Sequence, residues 1–130
     1  MLPAYLIAVL LATSSPMFPV AHASELTKAD MMQIATDEAK AHHLNVDRFL
    51  KTIECESFYE GISWNTHAKG DFRNGKPTSF GLAQFHNPES DWGITPEEAE
   101  DPYIAIPLMA QAWEDDLYPK WSCWRLLYAS

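Results

Sequence analysis

Glu56 and Ser57 close an apolar helical stripe, a place where a carboxyl can do acid–base work. On a wheel of about 100° per residue, Val46, Phe49, Leu50 and Ile53 share one face, and Glu56 falls about 20° outside Phe49. The predicted helix ends near Phe58, so this carboxyl sits in its last turn, where the macrodipole disfavours another negative charge. Partial burial acts in the same direction. Both effects raise the carboxyl pKa and suit a general acid that keeps its proton near neutral pH. A water-exposed glutamate at the amphipathic boundary, paired with Lys51 or Arg48, is the other reading of the same stretch.

Other chemistry-bearing residues point less sharply. His67 and His86 flank the same region, whereas the neighbours His42 and His43 point about 100° apart on a helix. No His or Cys pair has the i, i+4 spacing of metal ligands, so neither a metal site nor a cofactor is expected. Asp71 shares a turn with Asn74 and Gly75 but lacks the alternating oxygens and closing glutamate of a calcium loop. It is either a solvated turn residue or a water-positioning group. Tyr59, Trp64, Phe80, Phe85, Trp92 and Trp113 include possible sugar-stacking platforms, with core packing the expectation for most.

The elements that position these residues are mostly helical. Thr27 with Asp30 forms a capping box that opens a helix running to about His43. Asn45 caps the next helix, from Val46 to about Phe58. Residues from Gly61 to Pro77 read as a loop or short β-hairpin, with Asn74-Gly75 as a type I′ turn. The stretch "SFGLAQFH" is extended or a short helix. Thr95-Pro96-Glu97-Glu98 is a second capping box, and the last long helix runs from near Tyr103 to Leu117, with Pro107 placed to kink or restart it. No repeat, linker or low-complexity tract interrupts the chain. The fold class is mainly α with a small loop or β-hairpin insert, in a single domain over residues 24–130.

The start of the chain has its own signature. An apolar run from Leu2 to Leu11 leads to Ala21-His22-Ala23, an A-x-A cleavage pattern, although no Lys or Arg precedes Lys28. The run is shorter than the roughly 20 residues that span a bilayer, which favours a cleaved export signal over residues 1–23 and no membrane attachment afterwards. The protein is then expected in the periplasm or outside the cell. The two cysteines, Cys55 and Cys123, can pair there, and two reduced thiols are the alternative. Cys55 lies roughly opposite the apolar stripe, facing a position where the tail "KWSCWRLLY" can cross behind the helix. The net charge is −9, and no Lys or Arg lies between Pro77 and Pro119. The absence of a basic stripe disfavours nucleic acid as a partner, and the acidic half reads as solvated helix starts and exposed faces.

Glu56-Ser57, followed by Ser79-Phe80-Gly81-Leu82-Ala83-Gln84, resembles the lysozyme-like superfamily, most closely the small soluble lytic transglycosylases. "DPYIAI", from Asp101, is similar to the start of that family's following helix, and the resemblance spans roughly Val46 to Leu117. It implies a lysozyme-like α+β fold around a glycan groove. Within it Glu56 is the single catalytic acid/base, Ser57 holds the helix end, and Ser79, Gly81 and Gln84 bind the glycan. The implied substrate is peptidoglycan, cut at the β-1,4 bond between N-acetylmuramic acid and N-acetylglucosamine.

The departures from the family pattern bear on mechanism. Ser79 stands where chicken-type lysozymes carry their second carboxylate, and serine cannot replace it as the nucleophile of retaining hydrolysis. Gly70-Asp71 resembles the Gly-Asp of goose-type enzymes, so Asp71 can position a water for inverting hydrolysis, while His86 replaces an acid of those enzymes. Ala105-Ile106 and Ala112 stand where many transglycosylases have Asn-Ile and a tyrosine, leaving Tyr103 or no residue to orient the acid. Three functions follow: lytic transglycosylation giving 1,6-anhydromuramoyl products, hydrolysis using Asp71, and non-catalytic peptidoglycan binding in an assembly. An envelope-spanning secretion or conjugation machine is the partner that family-level analogy suggests.

Overall fold

A computed structural model describes residues 26–129, and the expected export signal lies outside the described residues. Helix α1 (Lys28–Ala41) opens on the predicted capping box. The Thr27 hydroxyl accepts the Asp30 N–H at 3.1 Å, and the Asp30 carboxylate accepts the Thr27 N–H at 3.0 Å. It stops at Ala41 rather than His43, which turns to the left-handed region with φ 59°. Its buried stripe, Met31, Ala35 and Ala39, is narrow and small, which lets neighbouring helices approach closely.

Helix α2 (Val46–Glu56) is capped by the Asn45 side chain, which accepts the Arg48 N–H. Its buried face runs through Phe49, Thr52 and Ile53, and Thr52 is accommodated by donating its hydroxyl to the Arg48 carbonyl at 2.8 Å. The helix ends at Glu56 rather than Phe58. Ser57 terminates it, fully buried, with both its N–H and its hydroxyl donated to the Ile53 carbonyl.

The insert is a three-stranded antiparallel sheet, β1 (Lys69–Gly70), β2 (Ser79–Phe80) and β3 (Phe85–His86), in that spatial order. Gly70 pairs with Ser79, and Ser79 with His86. The Asn74-Gly75 turn forms as predicted, with φ 54° and 78° and reciprocal bonds between Arg73 and Lys76. "SFGLAQFH" is neither one extended run nor a helix. It is β2 and β3 joined by a turn through Gly81 to Gln84.

After a π-helical turn at Pro88–Trp92 comes α3 (Pro96–Ala99), capped reciprocally by Thr95 and Glu98. Helix α4 (Pro102–Glu114) contains Pro107 without a break and buries Ala105, Ile106, Met109, Ala110, Ala112 and Trp113. It packs against α1, which packs in turn on α2. The helix ends at Glu114, short of Leu117, because Asp116 turns left-handed at φ 64°. The C-terminal stretch then folds, through a 3-10 turn at Tyr118–Lys120, into α5 (Ser122–Tyr128).

Helix α5 is an element that no local sequence signal announced, and its first turn is tied to the last turn of α2. Cys55 and Cys123 form a disulfide with their Cα atoms 6.0 Å apart. The result is a mainly helical small domain with a small antiparallel sheet. Among the described residues no helix is long and apolar enough to cross a membrane.

Candidate functional site

The last turn of α2, the first turn of α5 and the β2–β3 hairpin meet around a cleft of about 520 Å³. Its walls include Glu56, Asp71, Gln84, His86, Trp92 and Arg125. Glu56 follows Cys55 directly, so the disulfide that clamps α2 to α5 also fixes the carboxyl against the new helix. Its Oε2 accepts the Cys123 N–H at 2.9 Å and lies 3.4 Å from the Ser122 hydroxyl. Neither base proposed as an ion-pair partner reaches it. Lys51 pairs with Asp47 at 3.4 Å, and Arg48 stacks over the Tyr128 ring at 4.8 Å.

Burial pushes the Glu56 carboxyl above the ordinary carboxylate range. The hydrogen bonds from Cys123 and Ser122 act against that rise, the negative charge of Asp71 adds to it, and Arg125 offsets it. The principal cause is therefore desolvation, one of the two effects expected from the sequence.

Asp71 faces the same cleft and is held from behind. The buried Ser79 hydroxyl donates to Asp71 Oδ2 at 2.5 Å, and the Thr78 hydroxyl donates to the Asp71 carbonyl. His86 Nδ1 lies 3.1 Å from the Ser79 oxygen and 3.7 Å from Asp71 Oδ2. Ser79 is fully buried, and its hydroxyl is given to Asp71. Ser79 sits on the central strand, between Gly70 and His86.

Gln84 lines the cleft, but its amide is committed inward. Its Nε2 donates to the Ala68 and Gly81 carbonyls, both at 2.9 Å, and its backbone is left-handed at φ 49°. Its Oε1 lies so close to Gly70 that a β-carbon there would come within 2.6 Å. Gly70 is thus small because a neighbouring amide needs the space.

The remaining expected binding residues stand behind the wall or away from it. Ser57 is the buried cap of α2, consistent with holding the helix end, and offers the cleft nothing. Gly81 is buried at φ 79° beneath the Ala99 carbonyl. Tyr103 is 46% exposed at the start of α4 and stands outside the cleft lining.

Trp92 and Phe85 do reach the cleft, and they form one aromatic cluster with Trp121. The Trp121 indole N–H donates to the Ala83 carbonyl at 2.8 Å, pinning α5 to the hairpin turn. Sequence reasoning missed Trp121, Ser122, Lys120 and Arg125. One signal was available for Lys120 and Arg125: they are the only Lys and Arg residues after Lys76.

Among the described residues no three His, Cys, Asp or Glu side chains converge as metal ligands. What the arrangement offers is a partly desolvated carboxyl with a raised pKa, a second carboxylate fixed by a hydroxyl, and an aromatic wall. No family model, no curated protein and no solved structure matches the chain.

Proposed function

We propose that the cleft binds a peptidoglycan glycan strand and that Glu56 cleaves its β-1,4 bond between N-acetylmuramic acid and N-acetylglucosamine, by lytic transglycosylation. The observation that carries this reading is the Glu56 carboxyl, desolvated at a helix end yet open to a cleft, with one peptide N–H to orient it. The mainly helical domain with a small sheet beside the cleft agrees with the lysozyme-like resemblance.

In this mechanism protonated Glu56 donates to the glycosidic oxygen as the bond to the muramoyl C1 breaks. The substrate's own N-acetyl oxygen stabilises the oxocarbenium-like centre, which removes the need for an enzymic nucleophile. Glu56, now ionised, takes the proton from the C6 hydroxyl, and that oxygen closes on C1 to give the 1,6-anhydro ring. The carboxyl ends protonated, as it began. Its environment suits both halves of the cycle, because burial favours the acid while the Cys123 N–H supports the carboxylate.

Asp71 favours a second reading, hydrolysis. Its carboxylate is fixed by Ser79 in the same cleft, a suitable post for a water that attacks C1. Mass spectrometry of digested sacculi separates the two, with anhydro-ended muropeptides expected and reducing ends supporting hydrolysis. Binding of sacculi without either product identifies a non-catalytic glycan-binding protein. The disulfide fits an exported protein in an oxidising compartment, and an envelope-spanning machine is the proposed partner.

A further inference from the structure

Two cations stand on the cleft wall in a half of the chain that otherwise carries none. After Lys76 the only Lys and Arg residues are Lys120 and Arg125, and both line the cleft. They bracket Ser122, whose hydroxyl approaches the Glu56 carboxyl. Ser122 and Arg125 are three residues apart on α5 and share a face. Lys120 holds its ammonium 5.7 Å over the Trp92 ring.

Among the described residues neither Lys120 nor Arg125 forms an ion pair, with the acids of the cleft or with any other. Asp71 accepts the Ser79 hydroxyl, and Asp91 lies 3.2 Å from the Ser90 hydroxyl. Arg125 spends one guanidinium N–H on the Pro119 carbonyl at 2.5 Å, which anchors its head group beside the cleft, and its other N–H groups remain for a ligand. In a protein of net charge −9, unpaired cations at the one place a carboxyl awaits substrate select for an anion.

We propose that Lys120 and Arg125 recognise a carboxylate borne by the glycan beside the scissile bond. The ligand class is then a carboxylated amino-sugar polymer, with the lactyl or stem-peptide carboxylate as the anchor, rather than a neutral chitin-type chain. The proposal rests on the glycan-cleaving reading of the same cleft and adds the feature of the substrate that the cleft reads. Arg presents a planar fork suited to a carboxylate, and Lys supplies a second charge over the aromatic floor.

The test is binding rather than turnover, in a Glu56→Gln background that leaves ligands intact. This protein is titrated with chitotetraose and with a peptidoglycan tetrasaccharide that retains its lactyl carboxylates, following tryptophan fluorescence. The carboxylated glycan binds about tenfold tighter than the neutral one, as expected for a charge-assisted contact, and that advantage shrinks as salt rises. Adding Lys120→Gln and Arg125→Gln removes the advantage, while Arg125→Lys keeps part of it. Continued binding of chitotetraose by the double variant shows that it is folded. Equal affinity for the two glycans, or an advantage that survives the double variant, overturns the inference and leaves the glycan cleft standing. Binding of neither glycan overturns both.

Discussion

Gly81→Ala is expected to unfold the domain far more readily than Gly75→Ala, although the two glycines share nearly the same backbone. Their φ values are 79° and 78°, so both substitutions carry the left-handed penalty of about 1–2 kcal/mol. The surroundings differ. A β-carbon at Gly75 meets nothing within 4 Å, whereas at Gly81 it falls 1.9 Å from the Ala99 carbonyl oxygen and 2.8 Å from its carbon. Both atoms are backbone at the end of α3, so relief requires the helix or the hairpin to move. Movement of the hairpin also strains the bond from the Gly81 N–H to the Ala68 carbonyl. Overpacking of this kind costs about 1–3 kcal/mol beyond the conformational penalty. The total for Gly81→Ala is about 2–5 kcal/mol, a large share of the roughly 5–15 kcal/mol that holds a domain folded. Urea unfolding of the two variants and wild type, compared at constant m value, measures the difference directly. Equal shifts in midpoint for the two alanines would refute the close approach of α3 to the β2–β3 turn.

Three further outcomes follow from the site. Replacing Cys55 and Cys123 by alanine opens a loop with a sequence separation of 68 and costs about 4 kcal/mol in the chain-entropy model, read as a lower urea midpoint that reductant reproduces in wild type. Glu56→Gln gains stability over wild type as pH rises. The folded-state pKa of Glu56 is raised, so its contribution is fully present below the unfolded glutamate pKa and is lost as pH rises through the folded value. The gap therefore opens above about pH 4 and levels off past the raised pKa, and a gap independent of pH would contradict the burial. Asp71→Asn leaves anhydro products in sacculus digests at near wild-type yield if transglycosylation operates, whereas loss of all product chains places Asp71 in the chemistry.

Much of the local structure was legible because it is encoded locally. Thr27 with Asp30 and Thr95 with Glu98 form their capping boxes within one turn of chain, and Asn74-Gly75 accepts a left-handed turn without help. Glu56 was legible as the helix-end carboxyl beside the core, and Cys55 as a thiol facing away from the apolar stripe. The rest depends on distant partners. The donor to Glu56 is the N–H of Cys123, which only the folded chain brings near. Gln84 is left-handed because the Ala68 and Gly81 carbonyls hold its amide, and nothing in the residue type announces that. Ser79 was assigned to glycan binding by the family resemblance, whereas the fold buries its side chain and gives its hydroxyl to Asp71. The short helix α5 escaped notice because "SCWRLLY" lacks a side-chain cap; the disulfide and the Trp121 bond to Ala83 position it instead.

The side-chain carboxyl of Glu56 can be observed alone by carbon NMR, with Glu56→Gln identifying its signal. On titration of the free protein, the signal is predicted to move at a pH clearly above that of the exposed glutamates, marking a carboxyl that stays protonated where they have ionised. A midpoint within the range of those exposed glutamates would contradict the acid at the centre of the proposed reaction.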